Sequence, residues 1–190
     1  MNRRSIIAFV AVAFGLGGST ATLAWLVSGY TKEPALSNGR PAWTEVPWPF
    51  APDEWGKGKA FRCESSNCGA EINLYIRAKL GFCNCETGIA DDADLDRMGD
   101  LYLVGGEVKA LAAGSPITVG HMTGRSRAYA FTARSPLGKT AISAAFNDRC
   151  DMIVATVLLP HDRPDAIEHK AIEFLNGRTV MRWAEMTLGL

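Results

Sequence analysis

The chain has 190 residues, 47% of them hydrophobic and 21% charged, and its 20 basic and 20 acidic side chains leave no formal net charge. That length suits one globular domain plus appendages, and the composition is that of an ordinary globular chain. A neutral chain argues against nucleic acid as a partner, because binding a polyphosphate is driven by an excess of basic side chains.

Arg3 and Arg4 precede residues 5–29, SIIAFVAVAFGLGGSTATLAWLVSG, which carry no charge. A helix that spans a bilayer needs about 20 apolar residues. Trp25 and Tyr30 fall where an interfacial aromatic belt would lie, and the two arginines favour a cytoplasmic N-terminus. Residues 1–30 are therefore expected to form an N-terminal transmembrane helix. It would act as a signal-anchor that makes one pass through the inner membrane and leaves the C-terminal domain in the periplasm. The alternative is a cleaved signal peptide and release to the periplasm. The length of the run and the lack of an A-x-A site after it favour the anchor. Arg-Arg-Ser-Ile-Ile also loosely matches a twin-arginine export signal, with Asn2 where Ser or Thr is usual.

Residues 31–55 read as a linker. Pro34, Pro41, Pro47, Pro49 and Pro52 forbid a continuous helix or a central strand. Trp43, Trp48 and Trp55 are nevertheless too apolar for a free tether. They are expected either to lie in a groove of the domain or to dock on a partner or on the membrane.

Residues 56–190 are expected to form an extracytoplasmic domain stapled by disulfides. Glu71 to Arg77 alternates, with Ile72, Leu74 and Ile76 on one side and Glu71, Asn73, Tyr75 and Arg77 on the other, the pattern of a half-buried strand. Ala60 to Glu64 is its shorter partner across a turn at Ser65–Asn67. Asp91 to Leu101 reads as a short helix capped by Asp91 or Asp92, with Leu95 and Met98 inward. Pro116–Met122 and Arg125–Ala133 read as strands. Ser135–Gly138 turns the chain into Lys139–Phe146, and Asn147–Arg149 turns it into Met152–Leu159, which is apolar on both faces and so a central strand. Ile167, Ala171, Phe174 and Leu175 form the stripe of a helix that begins near Pro164 and ends at Asn176-Gly177. Thr179–Leu188 fits either a helix or a strand. The fold class is thus α+β, an antiparallel sheet of about five or six strands with a C-terminal helix on one face.

Five cysteines, at 63, 68, 83, 85 and 150, are disulfide candidates in a translocated domain. Cys63 and Cys68 flank the first turn. A strand from Glu71 to Phe82 would carry Cys83 roughly 35–40 Å along the sheet. The expected pairs are therefore Cys63–Cys68, and Cys150 with either Cys83 or Cys85. No cofactor is expected. The alternative is copper or zinc held by Cys83 and Cys85, completed by His121 and Met122, since paired thiolates suit soft metals. Thiol exchange is a further reading, although no Cys-x-x-Cys is present.

Other motifs are weaker. ARSPLGKT, residues 133–140, lacks the first glycine of a phosphate-binding loop and reads as a hairpin, so no nucleotide is expected. Asp92, Asp94 and Asp96 match the start of a calcium loop, but Arg97 replaces its glycine. Glu86–Glu107 holds seven acids against Arg97, and Lys109–Arg149 holds six bases against Asp148. The two stretches either pair when folded or form a polarised docking surface.

The stretches WGKGKAFRC (55–63), NLYIRAKLGFCNC (73–85), ADDADLDR (90–97) and AIEFLNGRTVMRWAEMTLG (171–189) resemble a family of exported, single-anchor proteins from α-proteobacteria. The resemblance implies a membrane-tethered or secreted place of work and brings no assigned activity. The expected function is that of a non-catalytic accessory or binding protein. Its partners would be the inner-membrane bilayer, through residues 5–29, and another envelope protein.

Overall fold

The computed structural model describes residues 42–81, 86–135, 138–160 and 164–190. The expected anchor, residues 5–29, lies outside them. Among the described residues no helix is long and apolar enough to cross a membrane.

The alternating run becomes strand β3 (Ile72–Lys79), which pairs antiparallel with β2 (Lys59–Cys63) on one side and with β8 (Asp151–Leu159) on the other. β8 also pairs antiparallel with β7 (Gly138–Asp148), and β7 with the long β6 (Met122–Ser135). Eight of the nine β8 residues are buried, as expected for a strand apolar on both faces and flanked on both edges. β6 ends the sheet by pairing along its length with two short strands, β4 (Val108–Ala110) and β5 (Ser115–Val119). With β1 (Trp43–Val46) at one edge, the order is β1-β2-β3-β8-β7-β6-β4, with β5 beside β6.

Among the described residues eight strands form, more than the five or six expected. β4, at three residues, is too short to show alternation. β1 (Trp43–Val46) comes from the stretch expected to be a linker and pairs antiparallel with β2. It is an edge strand, a position compatible with the prolines that follow it. Its neighbourhood clasps the sheet edge from both faces. Trp43 stacks on Phe174 below, with ring centroids 4.9 Å apart, while Trp48 meets Phe50 and Tyr75 edge-on above. Gly58 makes room for this clasp, because a Cβ there would lie 2.0 Å from the Ile76 carbonyl oxygen and 2.8 Å from the Trp48 ring.

The turn expected at Ser65–Asn67 is a single helical turn, α1 (Ser65–Cys68), closed by Gly69 in the left-handed region at φ 80°. The turn expected at Asn147–Arg149 falls later, because the β7–β8 ladder continues to Asp148↔Asp151 and leaves Arg149 and Cys150 as the loop. The short acidic helix is α2 (Asp92–Met98). The Asp91 carboxylate accepts a hydrogen bond from the Asp94 amide, which satisfies one of the free N–H groups at its start. The apolar stripe is α3 (Asp165–Leu175). The undecided C-terminal stretch is a second helix, α4 (Arg178–Leu188).

The sheet has two unlike faces. One buries Leu74, Ile76, Ile142, Phe146, Ile153 and Val157 beneath Ile167, Ala171 and Leu175 of α3 and Val180 and Ala184 of α4. Removing a side chain such as Leu74 from water contributes about 1.5–3 kcal/mol. The other face carries two smaller apolar clusters, one around Leu95, Met152 and Val154 and one around Tyr75, Leu158 and Trp48. Polar side chains of β3 occupy that face with them.

Candidate functional site

β3 was expected to turn Tyr75 and Arg77 to solvent. Instead Tyr75, Arg77 and Lys79 are buried, and Arg77 is only 1% exposed. The segment after β1 and the 3₁₀ turn Leu101–Val104 cover them. Burying an ion costs several kcal/mol unless it is fully paired, and here it is. Arg77 Nε and Nη2 bond the two oxygens of Asp100 at 2.9 and 2.6 Å, and Nη1 bonds Asp53 at 2.6 Å. Arg77 Nη2 also donates to the Tyr102 hydroxyl at 2.6 Å, and that hydroxyl donates to Asp53 at 2.8 Å. Lys79 Nζ lies 2.9 Å from Asp100 and donates to the Met98 carbonyl at 2.7 Å. The rings of Trp55 and Tyr102 sit 5.5 and 5.8 Å from that ammonium. Two cations thus meet two carboxylates.

The electrostatics follow from this closure. The hydrogen bond from Arg77 holds the Asp53 carboxyl well below the usual carboxylate range, with Tyr102 and the Trp55 amide adding to the effect. Burial works against the Arg77 charge, but the bonds to Asp100, Asp53 and Tyr102 outweigh it and raise its pKa. Burial and the bond to Asp53 push the Tyr102 phenol up. Chemically the cluster is a clamp that ties two irregular segments to the sheet.

Trp55 joins this clamp to the surface. A groove of about 290 Å³ is lined by Trp55, Lys57, Leu80, Trp183 and Thr187, among others. A second, of about 360 Å³, is lined by Lys59, Arg178, Arg182, Trp183 and Met186. Trp183 on α4 is common to both. Met186 is 73% exposed and Leu80 52% exposed beside these cations. Lys59 is paired to Glu45 at 2.6 Å, whereas Arg178 and Arg182 make no ion pair with another described residue. A third hollow, of about 470 Å³, lies on the opposite face between α2, the 3₁₀ turn, β4 and β6, and Tyr102 and Tyr129 line it.

The acidic and basic stretches pair in part with each other. Arg125 of β6 bonds Asp92 of α2 at 2.7 and 3.0 Å, and Arg127 pairs with Asp96 at 2.9 Å. The Asp92 carboxyl is held below its usual range by the Gly114 amide and then by Arg125. Burial and a hydrogen bond to Asp96 raise the Tyr129 phenol. The residues that suggested a calcium loop therefore lie on a capped helix docked on β6. ARSPLGKT spans the β6–β7 hairpin, with Ser135 paired to Gly138.

Cys63 and Cys68 form a disulfide with Cα atoms 6.0 Å apart, and both are buried. Cys150 is also disulfide-bonded, while Cys83 and Cys85, the partners expected for it, lie outside the described residues. His121 and Met122 are not brought together as ligands. Met122 is packed in the core, and His121 is 58% exposed, with Nε2 4.0 Å from Asp148. Among the described residues no three metal-ligating side chains are grouped to hold an ion. Of the three tryptophans considered for docking, Trp43 and Trp48 pack on the domain itself and Trp55 lines a groove.

Sequence reasoning missed Arg77, Lys79, Asp53, Asp100 and Tyr102, and also the α4 surface. One signal was present: Tyr75 is an aromatic residue on the side of β3 read as polar, and two cations follow it at alternate positions.

No family model and no curated protein matches the chain. Among solved structures, cyanobacterial PsbP (CyanoP) from Synechocystis is 12% identical, with a TM-score of 0.39, over 73% of this chain and 79% of that one. A likeness of that size carries no argument about this site.

Proposed function

We propose that this is a membrane-anchored extracytoplasmic accessory protein that works by binding and not by turnover. The observation that carries the reading is how the fold spends its reactive groups. Cys63 and Cys68 are bridged and Cys150 is disulfide-bonded. Arg77, Lys79, Asp53, Asp100 and Tyr102 saturate one another. The α4 grooves, by contrast, expose Arg178 and Arg182 beside the half-buried Trp183. Disulfides favour an oxidising compartment. Arg3, Arg4 and the uncharged run 5–29 support delivery across and retention at a membrane. The resemblance to exported single-anchor proteins agrees with both.

The test is topology together with cargo. Spheroplasts expressing the full chain are treated with an impermeant protease, and their membranes are washed in alkaline carbonate. The expected outcome is a domain digested from outside and a chain that stays with the membrane. A domain protected until lysis would overturn the extracytoplasmic placement. A purified chain carrying stoichiometric copper or zinc would replace binding with metal handling at Cys83 and Cys85.

A further inference from the structure

The outward side of α4 sets exposed cations beside exposed apolar side chains. Arg178, Arg182 and Met186 recur at every fourth position, so they stand in one row. Trp183 flanks the row, half-buried against the core, and lines both grooves. Leu80 and Leu190 add exposed apolar surface, at 52% and 44% exposure. Among the described residues, Lys57 and Lys59 bring the cations lining the two grooves to four, against the single acid Glu54. Glu45 is occupied by Lys59. Glu185 borders the row on its far side.

Long cationic side chains around a tryptophan and exposed aliphatic groups suit the boundary between lipid headgroups and acyl chains. There the apolar parts enter the acyl region and the charged ends stay at the phosphates. Chain length points to the same occupant. Residues 30–42, 13 in number, separate the uncharged run from β1. Fully extended they reach at most about 45 Å. A domain tethered so closely meets the bilayer at high effective concentration, so a modest patch suffices. β1, where that tether enters, carries Glu45 against Lys59 at the rim of the basic groove.

We infer that the α4 face lies on an anionic lipid bilayer, with Trp183 and Met186 at the headgroup boundary and Arg178, Arg182 and Lys59 on lipid phosphates. The inference deepens the proposed binding role and rests on that reading's placement of the domain at a membrane. It gives the domain a fixed orientation at the membrane and leaves the tyrosine-lined hollow on the opposite sheet face turned away.

The experiment uses the full chain with the photoreactive residue p-benzoylphenylalanine at position 186 or, as control, at the exposed position 109 on β4. Each is reconstituted in nanodiscs of phosphatidylcholine alone or with phosphatidylglycerol. Lipid adducts are read by mass spectrometry and disc retention by size exclusion. The expected result is a lipid adduct from position 186 in anionic discs, weak in neutral discs and absent from position 109. Arg178→Gln and Arg182→Gln should each lower the yield roughly fivefold, the worth of one cation at an anionic surface. A chain retained in discs without that adduct overturns the inference and leaves the anchor reading standing. Equal adducts in both disc types, or an adduct to a second copy of the chain, also overturn it. A chain excluded from both disc types overturns the inference and the anchor together. Retention and adduct in anionic discs alone, reversed by salt, uphold the inference and overturn the anchor.

Discussion

The two faces of the sheet solve the same problem by different means. Beneath α3 and α4 the sheet presents a continuous apolar surface, and two amphipathic helices of 11 residues each cover it with their own apolar stripes. Helices satisfy their own backbone groups, so the covering layer needs no polar support from the sheet. The opposite face is covered by a proline-rich segment, a seven-residue helix and a 3₁₀ turn. Such pieces place only scattered apolar side chains on the sheet, Trp48, Phe50, Leu95 and Val104 among them, and are held also by Arg77 and Lys79 reaching up from β3 to Asp53 and Asp100. An irregular lid on a sheet can be fastened by ions, provided that each ion is paired.

The contrast can be broken first at Arg77. Arg77→Ala leaves Asp53 and Asp100 without their shared cation and is expected to cost about 3–5 kcal/mol. The neighbouring Ile76→Val, on the helix-covered face, should cost only about 0.5–1.5 kcal/mol. Denaturant unfolding of both variants checks this, and equal losses would show that the ionic clamp is no more demanding than the apolar core.

Smaller effects sharpen the picture. The Cys63–Cys68 bridge closes a short loop beside the edge strands, and Cys63→Ser with Cys68→Ser should lower stability by about 2 kcal/mol. Thermal unfolding with and without reductant would reveal it, and a double variant indifferent to reductant in that region is expected.

Acid should loosen the clamped face through Asp53. Its folded pKa is depressed, chiefly by the Arg77 hydrogen bond. Its contribution is therefore complete above the unfolded carboxylate value, about 3.9, and is lost as pH falls through the folded value. Unfolding free energy should be insensitive to this group between about pH 5 and 8 and should decline below about pH 4. Asp53→Asn should flatten that decline while lowering stability at neutral pH. A decline of the same steepness in both chains would assign acid sensitivity to other carboxylates, Asp92 first among them.

Much of the architecture was legible locally. The alternation of Glu71–Arg77, the doubly apolar Met152–Leu159, the capping aspartate before Leu95 and the stripe Ile167–Leu175 each state an element and its buried side. A strand or helix writes its own periodicity into neighbouring residues, and the Cys63–Cys68 spacing is equally local. What alternation cannot state is whether the second side of a strand is also covered. That depended on Asp53 and Asp100, 24 and 23 residues from Arg77 in sequence. It also depended on a stretch whose prolines hid an edge strand. The same holds for Asp92 and Asp96, whose charges seemed to form a face of their own until β6 brought Arg125 and Arg127 beneath them. The grooves along α4 exist only because that helix packs beside β3 and the loop bearing Trp55. Local periodicity determined most of the elements and their order. The tertiary structure alone decided which charges became structural and which stayed exposed, because burial and pairing arise between segments distant in the chain.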